Sequence, residues 1–168
     1  MTTEIITVQF EKHGKKEIIE EGWEYVLHDP KFQDIYSLSS VDLSDAKYLR
    51  QLPISLVKLS MMYSSIPELS GISHLVNLEE LSFAIGNIKK IAELLPPNLK
   101  KLYLCGNPLE IVENLNEGLE IADFGECGNT AKQLVISQVP ASLISINLED
   151  TVVEWQCGKP KKLAIYPK

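Results

Sequence analysis

The chain has 168 residues, 45% of them hydrophobic, enough for one continuous core and too few for two full-sized domains. Its formal net charge of −7 disfavours binding to a bare phosphate backbone, which takes a positive surface. No run approaches the roughly 18 apolar residues of a membrane span, and Cys105, Cys127 and Cys157 form an odd set without CxxC spacing, which suits a reducing cytosol better than a disulfide framework.

The N-terminal stretch MTTEIITVQFEKHGKK lacks the apolar segment of a secretory signal. Within it Ile6, Val8 and Phe10 alternate as in a strand. From Lys15 to Leu27 the apolar residues Ile18, Ile19, Trp23, Val26 and Leu27 stand near helical spacing, which predicts an amphipathic helix. Gly22 in mid-pattern and the alternation of Trp23, Tyr25 and Leu27 leave a second strand open as the alternative. Asp29-Pro30 has the form of a helix start.

From Leu38 onward one template recurs. NLKKLYLCGNPL places Leu99, Leu102, Leu104 and Leu109 at offsets 0, 3, 5 and 10, the mark of a short strand followed by a return. Leu56, Leu59, Met61 and Ile66 repeat it, as do Leu78, Leu81, Phe83 and Ile88. Weaker copies are Leu38, Val41 and Leu43; Leu119, Ala122 and Phe124; and Leu143, Ile146, Leu148 and Val153. First positions at 38, 56, 78, 99, 119 and 143 give intervals of 18, 22, 21, 20 and 24, the period of a solenoid.

LKKLYLCGNPL meets the pattern LxxLxLxxNxL in full, and on this and the repetition the chain resembles the leucine-rich repeat family over residues 38 to 153. The resemblance implies an α/β fold: a solenoid with a parallel concave β-sheet, short irregular convex segments and an N-terminal strand and helix cap. Asn107 matches the family's asparagine and Cys127 is an accepted substitute, whereas Ala46, Ser64, Gly86 and Thr151 depart from it, which predicts an incomplete ladder. Prolines in LPISL, LLPPNL and VPASL precede three strands and argue for short returns, with Ser73 placed to cap one brief helical turn. The LP-x-x-L phrasing is similar to leucine-rich repeats of bacterial effector proteins.

The division that follows is a cap over 1–35, about six repeats over 36–155, and an edge strand and tail over 156–168, in one structural domain. Leu163 and Ile165 carry that last strand, blunted by Lys161, Lys162 and Pro167. The run Leu134 to Ile136 fits no template position, and the boundaries over 125–142 stay open between an inserted loop and an extra strand.

Nothing in the sequence has the form of an active site. There is no GxGxxG or GxxxxGK[ST] loop and no HExxH, and His13, His28 and His74 stand apart, so neither a cofactor nor a metal is expected. A Cys-dependent enzyme would have to use Cys105, for which no histidine base is identifiable.

The repeat instead exposes a surface. Met62, Tyr63, Ile85 and Tyr103 fall on its outward positions near the middle, flanked by Lys58, Glu80 and Lys101. Asp123, Glu126, Asn147 and Glu149 follow toward the C-terminus, where residues 110–154 hold nine acidic side chains against Lys132 alone, a net of −8. Such a field steers a basic partner, and a merely solvated face is the competing reading. The expected function is a non-catalytic, monomeric, cytoplasmic module that binds another, basic protein through the concave sheet, without nucleic acid or membrane. Narrower versions are a cytosolic inhibitor or immunity-type protein and a secreted effector acting in a host cytosol.

Overall fold

His13 and Gly14 both take positive φ, 51° and 73°, and so close a two-residue hairpin turn of the type that matches the twist of its strands. It joins β1 (Ile6–Lys12) to β2 (Lys15–Glu21) in antiparallel register, Lys12 opposite Lys15 and Ile6 opposite Glu21. Ile6, Val8 and Phe10 are buried, as their alternation predicts. The expected helix over Lys15–Leu27 is corrected: its first half is strand, and helix is confined to the six residues of α1 (Trp23–His28). The reason is local, since the His13-Gly14 turn returns KKEIIEE along β1 before any helical turn can close. Asp29 then caps a short 3-10 turn over Pro30–Phe32, its carboxylate accepting the Lys31 N–H at 2.8 Å.

This computed structural model describes residues 6–41, 43–127 and 133–167, so 128–132, including Lys132 and part of the open boundary over 125–142, lie outside the described residues, as does the Val41 side chain. The repeat strands follow as β3 (Ser37–Val41), β4 (Lys58–Met62) and β5 (Glu80–Ala84). After them the chain alternates between two sheets: β6 (Lys90–Ile91), β7 (Lys101–Tyr103), β8 (Ile111–Val112), β9 (Ile121–Asp123), β10 (Leu134–Ile136), β11 (Ser145–Asn147), β12 (Val153–Trp155) and β13 (Ala164–Tyr166).

Among the described residues, nine strands form a long sheet in the order β13-β11-β9-β7-β5-β4-β3-β1-β2, parallel from β3 onward. Four more form a short parallel sheet, β12-β10-β8-β6, on the returns. The fold is therefore a parallel-strand β-solenoid with little helix, and the α/β expectation is corrected on that point. The returns are also more regular than expected, because apolar residues there stack from turn to turn and pair their backbones. Leu134 to Ile136, which no template position claimed, is β10 in this second sheet. Around Ser73 the chain makes successive turns closed by Leu75 N–H to Ile72 O (3.1 Å) and Leu78 N–H to Leu75 O (3.0 Å) in place of the expected helical turn. The expected edge strand at Leu163 and Ile165 is β13, paired to β11.

The core is the stack of inward positions: Leu56, Leu59 and Met61 over Leu78, Leu81 and Phe83, over Leu99, Leu102 and Leu104, over Leu119, Ala122 and Phe124, all buried. Pairing places Leu38 beside Leu59, and not beside Leu56, so the first repeat begins at Ile35, also buried. The first interval is then 21 residues instead of 18. Ser40 stands where an apolar residue was sought; it occupies Met61's place in the strand, and its hydroxyl donates to Thr7 O at 3.0 Å, which removes the cost of burying it.

Two series of side chains fasten successive turns. Ser55, Asn77, Asn98 and Ser142, each preceding the first template residue of its repeat, donate back to Ile35 O, Ile54 O, Val76 O and Leu119 O over 2.7–3.0 Å. At the strand exits Asn107 donates to Phe83 O (2.6 Å), Cys127 to Leu104 O (2.8 Å) and Thr151 to Phe124 O (2.8 Å). The hydroxyl and the thiol thus make the bond that the asparagine makes, and the ladder is more complete than residue identity alone predicts.

Candidate functional site

In a parallel sheet every second residue faces the same side, and equivalent residues line up as rungs. On the open face the first rung runs Lys58–Glu80–Lys101 in direct register. Glu80 Oε2 lies 3.8 Å from each lysine Nζ, so one carboxylate is shared between two ammonium groups and the rung keeps a net charge of +1. At this exposure such pairs contribute about 0–1 kcal/mol each.

The next rung runs Gln9, Ser39, Ser60, Ser82, Tyr103, Asp123, Asn147 and Tyr166. Three serines in adjacent strands keep it low, and beside them a trough of about 410 Å³ opens, bounded by Glu11 and Lys16 of the hairpin, Lys58, Glu80 and Tyr103. The serines and the hairpin residues were missed by the sequence reading. The signal was available, since serine holds the fifth template position in three consecutive repeats once the first is aligned on Ile35. Further along, Asn147 Nδ2 donates to Asp123 Oδ1 at 3.0 Å, and the same oxygen accepts the Gly125 N–H at 2.9 Å. Both side chains therefore hold local structure besides facing outward.

Met62 ends β4 half-buried, next to Ala84. Tyr63 and Ile85 lie one residue past their strands, on the rim of the face, and not on the sheet itself. Glu126 and Glu149 also lie past strand ends and are exposed, and Glu126 N–H donates to Glu149 O at 2.6 Å.

The rim has an unusual backbone. The eighth template residue of five consecutive repeats, Tyr63, Ile85, Gly106, Glu126 and Asp150, takes positive φ, between 52° and 69°. The turn out of the strand imposes that conformation, which Gly106 meets without strain. For a β-branched residue such as Ile85 it is a genuine outlier, costing on the order of 1–2 kcal/mol. Yet Tyr63 and Ile85 occupy two adjacent places of this series while 57% and 50% exposed. Neither burial nor backbone comfort accounts for their size and type there.

Cys105 follows β7, half-buried beside this rim. Burial, then the Asp123 and Glu126 carboxylates, push its thiol pKa up. That holds the sulfur in the protonated, poorly nucleophilic form, the reverse of what a catalytic cysteine needs. Cys127 is buried in the core, and desolvation pushes its thiol up to about 12. The histidines serve the frame: the His74 ring lies between Gly71 O (3.0 Å) and Leu52 O (3.1 Å), and His28 Nδ1 lies 2.6 Å from Glu24 O. Among the described residues no helix is long and apolar enough to cross a membrane. A scan against protein-family models finds no match for the chain, and a search of curated proteins finds none either.

Proposed function

We propose that the chain is a non-catalytic binding module of the leucine-rich repeat type, and that it engages a protein partner with the open, concave face of the long sheet and its rim. The observation that carries this reading is the pair Tyr63 and Ile85, large and exposed, held in a left-handed backbone that disfavours both. Strain retained beside an open face is what a recognition site keeps and a purely structural turn discards. Beside the pair, Tyr103 stands on the serine-bearing rung, whose far end on β13 is Tyr166, and tyrosine supplies contact area together with a polar tip. Acidic residues at the C-terminal end, including Asp123, Glu126 and Glu149, favour a partner that is basic where it meets that end.

The protonated thiol of Cys105 supports the non-catalytic part of the proposal. The test is affinity capture from the native source with the wild type and with Tyr63→Ala/Tyr103→Ala, at low and moderate salt. The expected result is one dominant bound protein, lost with the double variant and weakened by salt. Equal capture by both, with the fold intact, overturns the assignment of this surface.

The narrower reading, a cytosolic inhibitor of a basic enzyme, rests on the acidic segment. It requires that Asp123→Lys and Glu149→Lys each weaken binding, and charge-independent binding rules it out.

A further inference from the structure

The long sheet ends at β2, and nothing among the described residues covers that edge. Its unpaired backbone groups can be identified. Glu11 O accepts the Tyr36 N–H, so odd-numbered residues of β1 face β3 and even-numbered ones face β2. Through the hairpin register these even residues pair with Glu17, Ile19 and Glu21. The N–H and C=O groups of Lys16, Ile18 and Glu20 therefore point outward, a template for one more antiparallel strand.

The side chains on that edge are arranged about a centre. In KKEIIEE, reversing the strand around Ile18 sets Lys16 against Glu20 and Lys15 against Glu21, with Ile18 against its own copy. The register that brings opposite charges together is also the one in which the free groups of residues 16, 18 and 20 meet as hydrogen-bonded pairs. None of these lysines and glutamates has an ion-pair partner within the chain among the described residues. Ile18 is 66% exposed at the middle of the strand.

From this self-complementarity we propose that β2 is a homodimerisation edge: two copies pair β2 to β2, antiparallel about a two-fold axis at Ile18, and join their long sheets into one. This departs from the monomer expected from the sequence and does not depend on the binding role of the open face. A C2 axis is the commonest route to a closed pair, and pairing consumes the edge in both copies so that no fibre can grow from it. One seven-residue strand pair buries less than a stable interface of about 1,600 Å². The dimer is accordingly weak, forming in the range of tens to hundreds of micromolar.

The test is sedimentation velocity on the full chain from about 5 to about 500 µM, at low and at high salt. The wild type is expected to move from monomer to dimer with concentration, and to do so less at high salt. Lys16→Glu and Glu20→Lys each place like charges opposite one another twice per dimer, and each is expected to weaken association about tenfold. Mixed together, the two variants are complementary across the proposed register and recover dimers, as does the double variant Lys16→Glu/Glu20→Lys. Both positions are exposed, and unchanged thermal unfolding of each monomer confirms that the fold is kept. A wild type that stays monomeric throughout overturns the proposal. So do single variants that dimerise as well as the wild type, since the contact then lies on another face, and so does failure of the mixture to recover dimers.

Discussion

Asn107 Oδ1 stands 2.9 Å from the point where a Cβ on Gly86 would lie, although the two residues hold the same place in successive repeats. Asn107 reaches back one turn, donating to Phe83 O at 2.6 Å and accepting the Ile88 N–H at 2.9 Å, and so occupies the space a side chain at 86 would need. Asn107→Ala strands buried backbone groups and should cost about 3 kcal/mol in urea unfolding. Gly86→Ala should cost about 1–3 kcal/mol by crowding that amide and the Ser64 backbone oxygen, which the new Cβ would also meet at 2.9 Å. The contact with Asn107 is common to both changes, so the double variant should fall short of the sum. Strict additivity would mean that the two residues do not share the site described.

Relief of strain at the rim is measurable against an internal control. Both Ile85→Gly and Ile85→Ala remove the side chain, but only glycine is at ease at φ 53°. Ile85→Gly should be more stable than Ile85→Ala by about 1 kcal/mol. At Ser82, within β5, the order should invert, with Ser82→Ala the more stable, because an extended backbone gives glycine no advantage.

The thiols should separate by environment. Alkylation near pH 8 should proceed fastest at exposed Cys157 and more slowly at Cys105. At buried Cys127 it should be on the order of a thousandfold slower, waiting on opening of the core. Mass-resolved labelling checks the order, and rapid reaction at Cys105 would revive a nucleophilic role.

Cys127 also carries a pH signature. The fold raises its pKa from 9.0 to about 12, so its stabilising contribution is whole below pH 9.0 and is lost as pH climbs through that window. Cys127→Ser, which keeps a donor toward Leu104 O without a titrating thiol, should show a shallower alkaline decline in urea midpoint than the wild type. Parallel declines would place the alkaline sensitivity elsewhere.

Periodicity made the solenoid legible because inward positions recur as leucine in the middle repeats, where Leu56 through Phe124 leave little choice of register. It misled at the first repeat, where Ser40 takes an inward position and Val41 and Leu43 imitate the template. Only strand pairing reveals Ile35 as the true start. The hairpin was obscured by KKEIIEE, in which Ile18 and Ile19 fall on opposite faces among exposed charges, so that no apolar alternation marks the strand. The outward residues were legible singly, as Lys58, Glu80 and Lys101 were, but not the sharing of Glu80 by both lysines, which depends on which strands are neighbours. The left-handed rim was hidden altogether: glycine marks it only at Gly106, and Tyr63, Ile85, Glu126 and Asp150 carry no local sign of positive φ.

The claim that the rim is kept for a partner and not for the fold is tested most directly by Tyr63→Gly/Ile85→Gly, followed in two measurements on the same protein. These are stability in urea and capture of the dominant bound protein from the native source. The account predicts stability equal to or above that of Tyr63→Ala/Ile85→Ala, with capture reduced at least tenfold relative to the wild type. Capture undiminished by the glycine pair, or a loss of stability larger than that of the alanine pair, would contradict it.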